Sequence, residues 1–170
     1  MPTLTAGRVL VVAMVTAAIG NGLVAGVFFA FSSFVMPALA RVAPSIGVQA
    51  MQSINITVVR SAFLAVYLLT TMLSAILVVA PWWISSGLAP RLAAAAGVIA
   101  VLGSFGVTMR LNVPLNNALA TAIPDAAASA ALWATYVRDW GVANVYRAVA
   151  SCAASVLFTI AAVTKAVDAL

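Results

Sequence analysis

The side chains able to do chemistry in this sequence are mostly amides, guanidinium groups and aromatic rings. Thr108, Asn112 and Asn116 recur at steps of four, which places them on one helix face, with Asn117 beside them. Trp133, Tyr136, Trp140, Asn144, Arg147 and Ser151 follow at steps of three and four and form one continuous helical stripe. Asn55 and Arg60 precede another apolar run, and Arg110 stands just before Asn112. An amide or guanidinium in hydrocarbon needs partners, since Arg at mid-helix costs about 2.5–3.5 kcal/mol on insertion scales. Asn55, Arg60, Arg110, Asn112, Asn116, Asn117, Asn144 and Arg147 are therefore expected to gather at one membrane face. There they would meet each other, main-chain carbonyls, water or a ligand. The only acids on that side are Asp125 and Asp139, so positive charge is left over, which suits an anionic or carbonyl-rich ligand. The plainer alternative is that the amides cap helix ends while Arg60 and Arg110 snorkel to headgroups.

Missing residue types narrow the chemistry further. The chain has no His and no Glu, and Cys152 is its only cysteine. No internal disulfide and no His/Cys metal site can be assembled from it. The acids Asp125, Asp139 and Asp168 are too scattered for a two-carboxylate metal centre. No cofactor is expected. Candidates for a general base are limited to Asp139, Tyr136, Tyr146 or water. There is no Gly-rich phosphate loop and no Ser-His-Asp set. Cys152, inside an apolar run, reads as a buried small hydrophobe.

The elements that must position these residues follow from composition. Of 170 residues, 65% are apolar and only 6% charged, and mean hydropathy is +1.19. A soluble domain carries roughly a quarter charged residues, so secreted, cytosolic and disordered classes are excluded. The net charge of +5 does not indicate nucleic acid, because the basic residues are dispersed at the ends of apolar runs as anchors. The expected architecture is all-α: a single transmembrane domain over residues 1–170, an integral membrane four-helix bundle with short interfacial helices. Its spans are expected at about 9–36, 61–83, 91–111 and 142–164. Ala38-Leu39-Ala40 imitates a signal cleavage site, but the preceding apolar stretch is about twice the length of a signal core.

Between the first two spans, Val48, Met51, Ile54 and Val58 recur at helical spacing and predict a short interfacial helix. Pro81-Trp82-Trp83 reads as an interfacial end. Both termini are expected on one side with Arg8, Arg91 and Lys165, against Arg41, Arg60, Arg110, Arg138 and Arg147 on the other. That asymmetry leaves the orientation open, since the span-edge arginines can serve a site instead of a headgroup. Ala18, Gly22, Gly26 and Ala30 fall every four residues and predict close helix approach, within the bundle or, alternatively, in a homo-oligomer. Phe28, Phe29, Phe31 and Phe34 form an aromatic collar near the end of the first helix. Membrane lipids and a hydrophobic small molecule are the expected partners. The Arg and Ala/Val bias points to a bacterial plasma membrane.

Several segments together resemble the anthrone oxygenase-like family of small four-helix membrane proteins, long catalogued as a domain of unknown function. They are Gly22 to Ser32 with Met36-Pro37, Met51-Gln52-Ser53-Ile54-Asn55, Thr108 to Leu119 with its Asn112-Val113-Pro114-Leu115-Asn116-Asn117 core, and Trp133 through Trp140 with Asn144 and Arg147. The resemblance covers roughly residues 20 to 160. It implies a cofactor-independent monooxygenase that converts an anthrone to an anthraquinone with dioxygen. Under it, Arg147, Asn144 and Asn112 would hold an enolate oxygen, and Trp133, Tyr136 and Trp140 would supply an aromatic slot. Asn55, Asn116, Asn117 and Thr108 would complete the binding set. The alternative is a non-catalytic membrane module that binds a lipid, a quinone or a partner subunit through the Asn/Arg cluster.

Overall fold

A computed structural model describes residues 2–168, and among the described residues every regular element is helical. Four helices are long and apolar enough to cross a membrane: α1 (Thr5–Leu39), α3 (Ala62–Trp83), α4 (Leu88–Ala120) and α5 (Ala127–Val167). A fifth, α2 (Pro44–Val58), connects α1 to α3. The chain is a membrane protein built as a four-helix bundle. Its outward faces carry residues such as Ile19, Leu23, Leu69, Met72, Ile76 and Val149, all exposed. Lipid solvates such faces, while helical hydrogen bonds satisfy most main-chain polar groups within each span.

Two spans are longer than the apolar runs suggest. α4 continues through Pro114 to Ala120, beyond the expected end near 111, and α5 begins at Ala127, ahead of the expected start near 142. Pro114 does not end its helix because the helix widens just ahead of it. Residues Thr108–Asn112 form a π turn, and the Val113 N–H reaches back to the Thr108 carbonyl. The same arrangement occurs in α1, where Phe31–Val35 is a π turn, the Met36 N–H bonds to Phe31, and Pro37 comes next. A proline ring clashes with the carbonyl four residues back and has no N–H to donate. A wide turn placed immediately before it absorbs both defects. Ser32 lies in one of these turns, and Thr108 and Asn112 lie in the other.

Packing divides the bundle into two ends. At one end Leu10, Met14, Ala17 and Ala18 of α1 meet Leu77, Ala93, Ala96, Phe158, Ala161 and Ala162, an alanine-rich core that draws the helices together. Asn21 donates to Ser74 at 3.1 Å, and Ser155 donates to the Ala18 carbonyl at 2.8 Å, tying α1 to α3 and to α5. At the other end Val48 and Met51 of α2 pack against Met36, Leu119, Trp133, Tyr136 and Trp140. Such bulky groups hold the helices apart, and a cavity opens between the two ends.

The expected glycine stripe is only partly used. Ala18 is buried, but Gly22 and Gly26 are exposed, and a side chain at Gly26 would meet nothing. Gly22 still approaches α5, where a Cβ would lie 3.3 Å from Ser155 Oγ, and close approach also occurs at Gly20, against Thr70, and at Gly97, against the Ser74 carbonyl. Gly47 of α2 lies against the Trp133 ring, where a Cβ would fall 2.6 Å from ring carbons. Of the aromatic collar, Phe28 turns inward while Phe29 and Phe34 face out. Cys152 is also on the outer surface, not buried as expected, because its position on α5 is one residue past the interior stripe.

Candidate functional site: a cavity with a buried cation

All five helices contribute to one cavity of about 580 Å³. α1 supplies Phe28 and Phe31, α2 supplies Gln52 and Asn55, and α3 supplies Phe63 and Tyr67. Thr108, Asn116 and Asn117 come from α4, and Trp140 and Arg147 from α5. Ile56 and Val59 lie on the cavity wall and are also exposed outside, so the mouth has an apolar rim.

Arg147 dominates the interior. It is 5% exposed, and the single ion pair among the described residues, Arg138 with Asp139 at 2.7 Å, lies on the surface. No carboxylate therefore neutralises the buried guanidinium. What holds it is a set of neutral groups. One nitrogen donates to Asn144 Oδ1 at 2.6 Å and another to Thr108 Oγ1 at 3.4 Å. Its carbon lies 4.2 Å from the Phe28 ring centre and 5.0 Å from that of Trp140. Cation–π contact with two rings offsets part of the lost hydration. Its Nε has no partner.

Asn144 is the bracket for that cation. Its Nδ2 donates at 2.7 Å to both the Phe28 carbonyl and Ser32 Oγ, which leaves Oδ1 for the guanidinium. Both amide protons and one lone pair of the oxygen are thus committed. Asn112 is completely buried and donates to the Trp140 carbonyl at 3.3 Å, with its Oδ1 unpartnered, as is Trp140 Nε1. Asn112 therefore joins Arg147 through Trp140, behind the cavity wall.

The remaining expected residues separate into two groups. Asn55, Asn116, Asn117, Thr108 and Trp140 line the cavity. Trp133 and Tyr136 do not. They stack on each other at 5.7 Å within the cluster beneath α2, and Tyr136 donates to Asn116 at 2.8 Å. The aromatic slot is consequently built from Phe28, Phe31, Phe63, Tyr67 and Trp140, not from the Trp133 and Tyr136 expected beside Trp140. Arg60 and Arg110 are exposed and off the cavity wall, so one guanidinium, not three, charges the site. Asp139 is engaged with Arg138, and Tyr146 is 60% exposed on the outer surface, so neither reaches the cavity as a base.

Tyr67, outside the expected set, also lines the cavity. Phe63, Tyr67, Thr70, Ser74 and Leu77 step by four and three along the inner face of α3, and a tyrosine in that stripe was the available signal. Tyr67 Oη lies 2.8 Å from Thr108 Oγ1 and 3.3 Å from Ser104 Oγ. Ser151 extends this chain, donating to Ser104 at 3.0 Å.

Residues 56–157, more than half of the chain, match the family model described as anthrone oxygenase. The match includes Tyr67, Thr108, Asn112, Trp140, Asn144 and Arg147. No curated protein and no solved structure matches the chain.

Proposed function

Because the chain belongs to the anthrone oxygenase family, we propose that this cavity oxidises an anthrone-like aromatic ketone to the corresponding quinone with dioxygen. A volume of about 580 Å³ is within the range of small-molecule sites, and aromatic walls suit a flat fused-ring substrate. The observation that carries the reading is Arg147, a buried cation with no acidic partner, facing that space. Removing a proton from the methylene opposite the ketone leaves an enolate. Its oxygen becomes the missing counter-charge, and donors already in place stabilise it without reorganisation.

The enolate carbon forms a bond to dioxygen, and the resulting peroxide anion takes back the proton removed in the first step, giving a hydroperoxide. Loss of water from that group, with the second methylene hydrogen, leaves the new carbonyl. One dioxygen atom remains in the product and the other departs as water, the four electrons coming from the two C–H bonds. Asn144 and Asn112 act here as positioning residues, one for Arg147 and one for Trp140. Asn55, Asn116 and Asn117 offer amides to polar substituents at the other end of the cavity. The composition supports a bacterial plasma membrane as the location, with lipids as neighbours.

Oxygen uptake by purified protein in detergent, with anthrone as substrate, tests this reading. Uptake above that in empty micelles, and its loss in Arg147→Ala, is the expected result. A rate equal to the micelle blank overturns it. A co-purifying lipid or quinone released by Arg147→Ala would then identify a binding module.

A further inference from the structure

We propose that Tyr67 is the catalytic base, accepting the methylene proton as its phenolate. This rests on the oxygenase reading above and assigns the one role there that no residue yet fills.

Among the described residues on the cavity wall, the titratable side chains are Tyr67 and Arg147. The hydrogen-bond directions around the phenol follow from counting protons. The Thr108 hydroxyl donates to the Ser104 carbonyl at 2.9 Å, so its single proton is committed. Tyr67 is then the donor toward Thr108 Oγ1, which also accepts from Arg147. Ser104 Oγ accepts from Ser151, which leaves its own proton free to point at Tyr67. When the phenol ionises, the Thr108 hydroxyl can rotate away from the carbonyl, so that Thr108 and Ser104 both donate to the phenolate oxygen. The network thus accommodates both protonation states by turning hydroxyls, without moving a helix.

The groups facing the phenol from neighbouring elements are few. α1 presents the Phe28 ring edge-on at 5.7 Å, and Phe63 stacks on it from within α3 at 6.1 Å. α4 presents Ser104, Phe105 and Thr108, and α5 presents Arg147 through Thr108. Arg147 is the charged group among them. Phenol and guanidinium share one hydroxyl, so both can address a single six-membered ring, in which ketone and methylene are opposite carbons. In the step itself the C–H bond breaks, its electron pair remains on the ring as enolate, and the proton forms the Tyr67 O–H bond. Without oxygen the reverse transfer returns a proton that has exchanged with solvent.

Anaerobic exchange of the anthrone methylene hydrogens in deuterated buffer reads this step directly, by mass spectrometry. The wild type is expected to exchange faster than empty micelles. Tyr67→Phe keeps the ring packing. Its exchange is expected to fall on the order of 100-fold, with anthrone affinity held within about threefold. Tyr146→Phe, on the outer surface, should match the wild type. Wild-type exchange in Tyr67→Phe overturns the assignment while leaving the oxygenase reading intact. A wild type that neither exchanges nor consumes oxygen above micelles overturns both.

Discussion

The guanidinium of Arg147 stands 4.2 Å over the ring of Phe28, and the residue it bonds most closely, Asn144, holds the Phe28 carbonyl. One residue of α1 therefore receives α5 twice, through its ring and through its main chain. The contact places a positive charge in an apolar bundle with neutral partners only, an arrangement that favours an anion over stability.

Replacing that charge should separate the two properties. Arg147→Met keeps comparable length and removes the desolvation cost, and apolar replacement of buried charges is often neutral or stabilising by about 1–4 kcal/mol. The melting temperature in detergent is expected to hold or rise, while anthrone oxidation falls on the order of 100-fold or more. A variant that melts well below the wild type would show that Arg147 serves the fold.

Asn144→Leu strips the guanidinium of its shortest acceptor and leaves Ser32 without its donor. A loss of about 1–3 kcal/mol in stability is expected for a buried group left unpaired. Adding Arg147→Met should recover most of that loss, because the group that needed the amide is gone. Thermal melting of the two single variants and the double variant measures the coupling. Strictly additive changes would contradict the bracket role.

Gly97 and Gly26 should respond oppositely to alanine. At Gly97 the added methyl meets the Ser74 carbonyl, a main-chain atom that cannot step aside, and overpacking of this kind costs about 1–3 kcal/mol. At Gly26 the same methyl enters open space, and alanine favours the helix by a few tenths to about 1 kcal/mol. Melting curves in one detergent decide between them. Equal effects would mean that α3 and α4 are not in close contact at Gly97.

Tyr136→Phe removes the hydroxyl that orients Asn116, without touching the cavity wall itself. The expected effect is a rise in KM of roughly threefold to tenfold with kcat retained, since about 1 kcal/mol of orientation is lost. A collapse of kcat would place Tyr136 in the chemistry in place of Tyr67.

Composition and the length of the apolar runs were enough to identify a membrane protein of four spanning helices. The stripe from Trp133 to Ser151 was equally legible, because α5 is regular and its buried positions recur with the helical period. Such a period fixes which side chains share a face of their own helix. It does not fix how helices are rotated and tilted against each other. Arg60 and Arg110 faced out, Trp133 and Tyr136 went beneath α2, and Tyr67 entered the cavity. Those outcomes depended on where bulky rings held the bundle open, and on two π turns that shift the register of α1 and α4 ahead of Pro37 and Pro114. In lipid, inward and outward faces are both apolar, so hydrophobic pattern alone cannot orient a helix. Only the assembled contacts decided which polar atoms meet.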